Sequence, residues 1–243
     1  MGSLDSLLRS LRDLVGNAYL LDRLISQSEV VDVGGGKVVK KRFVKEVGVI
    51  KWLPPTILLR GTYPFTLNPK ERFSRELDFF TNEVWEGVKV PEVIAADEEV
   101  LEIVREYVDG KPLDYRVNAD LIARTLAEIH CRGRALGDVK PTNFLVTGEG
   151  TLYVIDAEQS VRTTDRAHWA WDIALTMFFA SYANLTDLGG FRRFVSRFVK
   201  SYVASGGLVE TFDEILTPRF SPLTLLMPLP HLFAMVDEVN KNL

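Results

Sequence analysis

The chain has 243 residues, 47% of them apolar and 26% charged, which is enough to bury one sizeable core or two lobes sharing a cleft and excludes a disordered chain. A net charge of -4 argues against a broad nucleic-acid face, while leaving room for a local basic patch such as Lys37, Lys40, Lys41 and Arg42. One cysteine, Cys131, cannot close an internal disulfide, and the scattered His130, His168 and His231 lack zinc spacing, so a reducing cytoplasm is the expected compartment.

Leu4, Leu7, Leu8, Leu11, Leu14 and Val15 recur at helical spacing opposite Asp5, Arg9, Arg12 and Asp13, which predicts an amphipathic helix. Its apolar face is read as packing on the rest of the protein, ahead of membrane binding. The same stretch lacks the basic region, apolar run and cleavage site of a signal peptide, and no uncharged apolar run reaches membrane-spanning length. From Tyr19 to Phe43 three short strands are expected, with turns at 26–28 and 34–36. Gly34-Gly35-Gly36 lies between β-branched runs and is read as a hairpin; the alternative is a loop whose backbone approaches a phosphate. Residues 44–65 form an apolar connector that Pro54-Pro55 prevents from being one helix. Packing on its own domain is the plain account of it, and a partner-binding or membrane-surface patch the sharper one.

A helix over 71–85 follows, with Phe73, Leu77 and Phe80 on one face and Glu76 within it. Strands are expected over 88–97 and from 100 to about 108, then a turn at Asp109-Gly110. Further helices are predicted over 121–130, over 169–182 with Asp172 inside an apolar run, and over 191–202. Pro222, Pro228 and Pro230 divide the C-terminal end.

The chemistry lies in LGDVKPTNFLV at 136–146 and TLYVIDAEQS at 151–160. Asp138 and Asn143 share one loop with Lys140 between them, and the apolar run 152–155 ends in a second carboxylate, Asp156. Asp, Lys, Pro and Asn are also what ordinary turns are made of, but turn chemistry does not account for a carboxylate at the end of the next strand. Phosphoryl transfer needs a carboxylate to accept a hydroxyl proton, an amide and a carboxylate to hold magnesium, and a cation beside the migrating group. Asp138, Asn143, Asp156 and Lys140 are one of each.

These two loops resemble the catalytic loop and metal strand of the protein-kinase-like superfamily, whose loop reads HRDLKxxN. The chain is most similar to its small atypical members: the kinase of the KEOPS tRNA-modification complex, RIO-type kinases, lipopolysaccharide-sugar kinases and aminoglycoside-type phosphotransferases. The resemblance implies a bilobal α+β fold, with an N-terminal helical extension over 1–18, a small sheet lobe over 19–108 and a helical lobe over 109–243. It implies ATP and magnesium as cofactors, Asp138 as catalytic base with Lys140 beside it, and Asn143 and Asp156 as the metal ligands. The phosphate cover falls on Ser26, Gln27, Ser28 and Glu29, without the family's glycines, and the phosphate-binding lysine on Lys40, braced by Glu76. Lys51 takes that place if the glycine run is the cover. The backbone of Glu106 and Val108 would face adenine, with Arg105 in the gatekeeper position, and Asp172 would prop the catalytic loop.

Leu136-Gly137 stands where the family has His-Arg, and Ala157-Glu158 where it has Phe-Gly. Neither a brace to a phosphorylated activation segment nor a flip of that segment is therefore expected. The activity implied is transfer of the γ-phosphate of ATP to a hydroxyl acceptor, on a sugar, a lipid-linked compound or a protein. The alternative is a nucleotide-binding pseudokinase or ATPase subunit that acts as a scaffold in a KEOPS-like assembly. A cytoplasmic location is expected, with contact to a protein partner or a membrane surface through 44–65 as an option.

Overall fold

The computed structural model describes residues 27–44, 52 and 61–243. The N-terminal helix, Ser26, Lys51 and most of the apolar connector lie outside them. The described residues form an α+β protein, with a four-stranded antiparallel sheet on the N-terminal side and mostly helices after it.

Strands β1 (Ser28–Val33) and β2 (Gly36–Arg42) make a hairpin closed by Gly34 and Gly35. Both glycines have positive φ, 56° and 100°, so the run is the tight turn that its flanking β-branched residues imply. Helix α1 (Pro69–Thr81) starts ahead of the expected boundary because Asn68 caps it, accepting the Lys70 N–H at 3.0 Å, with Pro69 in the first turn. It stops short of Trp85, which instead folds back on Phe79 and donates to the Phe79 carbonyl at 3.3 Å. Strands β3 (Val93–Asp97) and β4 (Glu102–Glu106) complete the sheet in the order β1-β2-β4-β3.

Register decides which side chains share a face. Lys41 lies across from Ile103, and Val39 across from Arg105, so these four point to one side. That side receives α1, where Phe73 packs with Phe43 and Ile103.

After the sheet come β5 (Lys111–Pro112), α2 (Ala119–Cys131), β6 (Arg134–Ala135), a short 3-10 turn (Pro141–Asn143), β7 (Phe144–Val146), β8 (Leu152–Val154) and β9 (Val161–Arg162). Helices α3 (Arg166–Ala183), α4 (Leu188–Ala204), α5 (Glu210–Ile215), α6 (Ser221–Thr224) and α7 (Leu229–Asn242) follow. Pro222 lies in the first turn of α6 and Pro230 in that of α7, so the prolines divide this end as expected. The core joins Ile122, Leu126 and Ile129 of α2 to Ile173 and Met177 of α3 and Phe191, Phe194 and Phe198 of α4. Each such side chain stabilises the fold by roughly 1.5–3 kcal/mol of burial. Among the described residues no helix is long and apolar enough to cross a membrane.

Candidate functional site

Two small antiparallel pairings bring the loops together. In the β6-β9 pair, the chain leaving Ala135 and the chain entering Val161 lie at the same end, so the 136–140 loop runs beside 156–160. In the β7-β8 pair, Phe144 faces Val154, and the Ile155 N–H reaches the Asn143 carbonyl at 2.9 Å. Asp138, Asn143 and Asp156 are therefore neighbours because of short-range strand pairing.

Helix α3 supports the loop from below. Asp172, fully buried, accepts the N–H groups of Leu136 at 2.7 Å and Gly137 at 2.8 Å, while Trp171 donates to the Gly137 carbonyl at 2.8 Å. His130 at the end of α2 sits 3.3 Å from Asp172 and 2.7 Å from the Tyr202 hydroxyl, a packing and hydrogen-bonding place rather than an open one. The Asn143 amide nitrogen donates to the Asp138 carbonyl at 2.9 Å, which makes its carboxamide oxygen the atom that could ligate a metal. Oδ2 of Asp138 is buried and, among the described residues, accepts no hydrogen bond, with the Lys140 ammonium 3.6 Å away.

The phosphate-lysine expectation requires a correction. Lys40 points away from α1, with 45% of its side chain exposed, and pairs with Glu102 at 3.1 Å. Its neighbour Lys41 is turned inward, 4% exposed, and meets Glu76 at 2.6 Å, Asp156 at 3.1 Å and Glu158 at 3.6 Å. Strand alternation puts consecutive residues on opposite faces, so Glu76 can be braced to Lys41 and not to Lys40. Glu76 is fully buried and also accepts the Ala157 N–H at 3.1 Å. Burial pushes its carboxyl up to about 7, against the pull of Lys41.

The cover residues sit at the entry of the β1-β2 hairpin. Gln27 accepts the Arg42 N–H at 3.0 Å through its carbonyl, and its side-chain oxygen accepts the Val44 N–H at 3.0 Å, which turns it toward the root of the connector. Ser28 already belongs to β1, directly across from Lys41. Glu106 ends β4 and exchanges contacts with Glu92, its N–H on the Glu92 carbonyl at 2.9 Å, while Val108 is buried where the chain passes from sheet to helices. Arg105 is buried on the inner face, its guanidinium 5.6 Å from the centre of the Phe80 ring.

Several residues of the cluster escape the sequence reading. Glu158 accepts from Trp52 Nε1 at 2.9 Å and from Arg72 Nη1 at 3.1 Å. Gln159 exchanges two hydrogen bonds with the backbone of Thr66, at 2.9 and 3.0 Å, and Ser160 donates to the Arg75 carbonyl at 3.2 Å. Tyr63 donates to the Gln159 carbonyl at 2.8 Å and lies against Gly137. The signal available was Glu158-Gln159-Ser160 itself, three polar residues that begin two positions after Asp156, all of them buried.

Among the described residues no group of three His, Cys, Asp or Glu side chains could hold a metal by itself. Magnesium shared with nucleotide phosphates needs only one or two carboxylates from protein. The Asp156 carboxylate and the Asn143 oxygen are a donor set of that kind. No protein-family model matches the chain, and no curated protein matches it.

Proposed function

We propose that the chain is an ATP- and magnesium-dependent phosphotransferase of protein-kinase-like fold, acting on a hydroxyl acceptor. The observation that carries this is the buried Lys41 between Glu76 at 2.6 Å and Asp156 at 3.1 Å, beside the loop that holds Asp138 and Asn143. A cation braced by a helix carboxylate and set against a metal-binding carboxylate is the arrangement that orders nucleotide phosphates.

In this reading Lys41, held by Glu76, binds the phosphates, and the backbone of Glu106 and Val108 faces the base. Asn143 and Asp156 hold magnesium, which offsets phosphate charge when bound. Asp138 orients the acceptor hydroxyl and takes its proton, and Lys140, 3.6 Å from it, compensates charge on the migrating group. A compact acceptor, on a sugar or a lipid-linked compound, is favoured over an extended peptide. Only a short segment separates Asp156 from α3, and Glu158, Gln159 and Ser160 are bound into the protein interior rather than offered as a docking edge.

The test is magnesium-dependent ATP turnover by wild type, Asp156→Asn and Asp138→Asn, first alone and then with sugars, lipids or proteins supplied. Each variant is expected to lose at least about 100-fold in turnover, about 2.7 kcal/mol of transition-state stabilisation. Undiminished turnover in either variant would remove that residue from the mechanism. Tight ATP binding without turnover under every acceptor would move the protein to a nucleotide-binding scaffold.

A further inference from the structure

Arg105 breaks a packing rule. It stands on the inner face of β4, 4% exposed, yet among the described residues its guanidinium makes no hydrogen bond or ion pair, and its Nε is buried without a partner. Only the Phe80 ring lies over it. A buried N–H left without an acceptor costs stability, and a methionine or leucine would fill the same place without that cost. Departures of this kind mark functional positions.

A second unsatisfied atom lies in the same cluster. Oε1 of Glu76 is buried and, among the described residues, accepts nothing, while Oε2 is taken by Lys41 and the Ala157 N–H. Apart from burial, the largest influence on the Arg105 guanidinium is the charge of Glu76, followed by that of Asp156. Lys41 is shared among Glu76, Asp156 and Glu158, and Arg72 already holds Glu158. A bound nucleotide would draw Lys41 toward its phosphates and Asp156 toward its metal. Of the carboxylates around Lys41, Glu76 would then be the one left with weakened compensation, and Arg105 is the neighbouring cation with donors to spare.

On the nucleotide site assigned above, we propose that Arg105 is a positioning residue that pairs with Glu76 when a magnesium nucleotide engages Lys41. The carboxylate stays compensated, and α1 stays docked on the sheet while the ammonium holds phosphate. Phe80, whose ring lies by the Arg105 guanidinium, is one turn of α1 beyond Glu76, so the cation and the carboxylate flank the same stretch of that helix.

The experiment measures the melting temperature without ligand and the dissociation constant for magnesium-ATP, in wild type, Arg105→Met, Arg105→Lys, Glu76→Gln and the Glu76→Gln/Arg105→Met double variant. Arg105→Met is expected to melt at or above the wild-type temperature, since an unpaired buried charge has been removed, yet to bind magnesium-ATP at least about tenfold more weakly. Arg105→Lys, which keeps the charge, should recover most of the affinity. In the Glu76→Gln background, Arg105→Met should change affinity by less than about twofold, because its effect runs through the carboxylate. Wild-type affinity in Arg105→Met, whatever its melting temperature, would overturn the proposal, as would losses that add in full in the double variant. Wild type that binds no magnesium-ATP would overturn the site assignment and this proposal with it, whereas wild type that binds, with Arg105→Met unchanged, would overturn this proposal alone.

Discussion

Two adjacent lysines on one strand cannot both reach a cleft, and the choice between Lys40 and Lys41 is made by the face that α1 covers. Lys41 shares that face with Ile103 and meets Glu76 at 2.6 Å; Lys40 lies on the other face, against Glu102. Lys41→Met is therefore expected to abolish magnesium-dependent ATP binding, whereas Lys40→Met should bind within about twofold of wild type, as an exposed ion pair contributes about 0–1 kcal/mol. Titration calorimetry on both variants decides it. Equal losses in the two would return the assignment to the run as a whole. Lys41→Met also strands a buried carboxylate, so its melting temperature should fall, and affinity is to be read on protein shown to be folded. The run Val38-Val39-Lys40-Lys41 is legible as a strand, but period-two alternation carries no absolute phase. Nothing local says whether Val38 or Val39 faces the helix.

The described part of the connector between β2 and α1 behaves as a strap between the two parts of the molecule. Its described end, 61–68, runs from the Arg219 region, where Arg219 Nε donates to the Gly61 carbonyl at 2.7 Å, over the loop before Asp138 to the cap of α1. Tyr63, Thr66 and Trp52 bind the segment after Asp156 through Gln159 and Glu158. A swing of that segment would break all of these contacts at once, so its conformation is built in rather than switched. The same strap accounts for glycine where the loops that this one resembles carry arginine. Gly137 has φ of 76°, and a Cβ there would overlap the Tyr63 ring. Gly137→Ala is expected to destabilise the protein by about 3 kcal/mol, from the left-handed backbone and the displaced ring together, lowering the melting temperature by about 6–12 °C. An unchanged melting temperature would mean that Tyr63 moves aside freely and that the strap does not hold the loop.

At the scale of the whole protein, sheet and helices meet over a buried carboxylate, and that couples global stability to pH. Burial raises Glu76 from 4.5 to about 7; Lys41 and Arg105 pull it down, Asp156 and Glu158 push it up. A carboxyl whose folded value is raised contributes stability that is complete below its unfolded value and is lost as pH rises through the folded one. The ligand-free protein should therefore lose stability from Glu76 between about pH 4.5 and about 7. On the proposed nucleotide site, where the ionised carboxylate would brace Lys41, ATP binding should strengthen over the upper part of the same range. Urea unfolding midpoints across that range, with Glu76→Gln beside wild type, test the linkage. The variant should be flatter, and an identical slope would assign the pH dependence to other groups.

The order Asp138, Asn143, Asp156 is legible in the linear chain as a motif, and the β7-β8 pair, close by in sequence, sets Asn143 beside the approach to Asp156. The glycine hairpin likewise follows from local conformation. The β6-β9 pairing and the Asp172 support join residues 26 to 28 and 35 to 36 apart, and only the resemblance pointed to Asp172. Lys41, Arg105, Glu158 and Tyr63 could not be found in this way. Lys41 meets Glu76 across 35 residues and Trp52 meets Glu158 across 106, contacts that come into being only when separate elements dock. Composition and periodicity specify which residues are buried on average, whereas the partner of a buried charge is chosen by the face that another element happens to cover. That choice was made by tertiary packing, and it put the lysine that meets Glu76 one residue from where the chain alone places it.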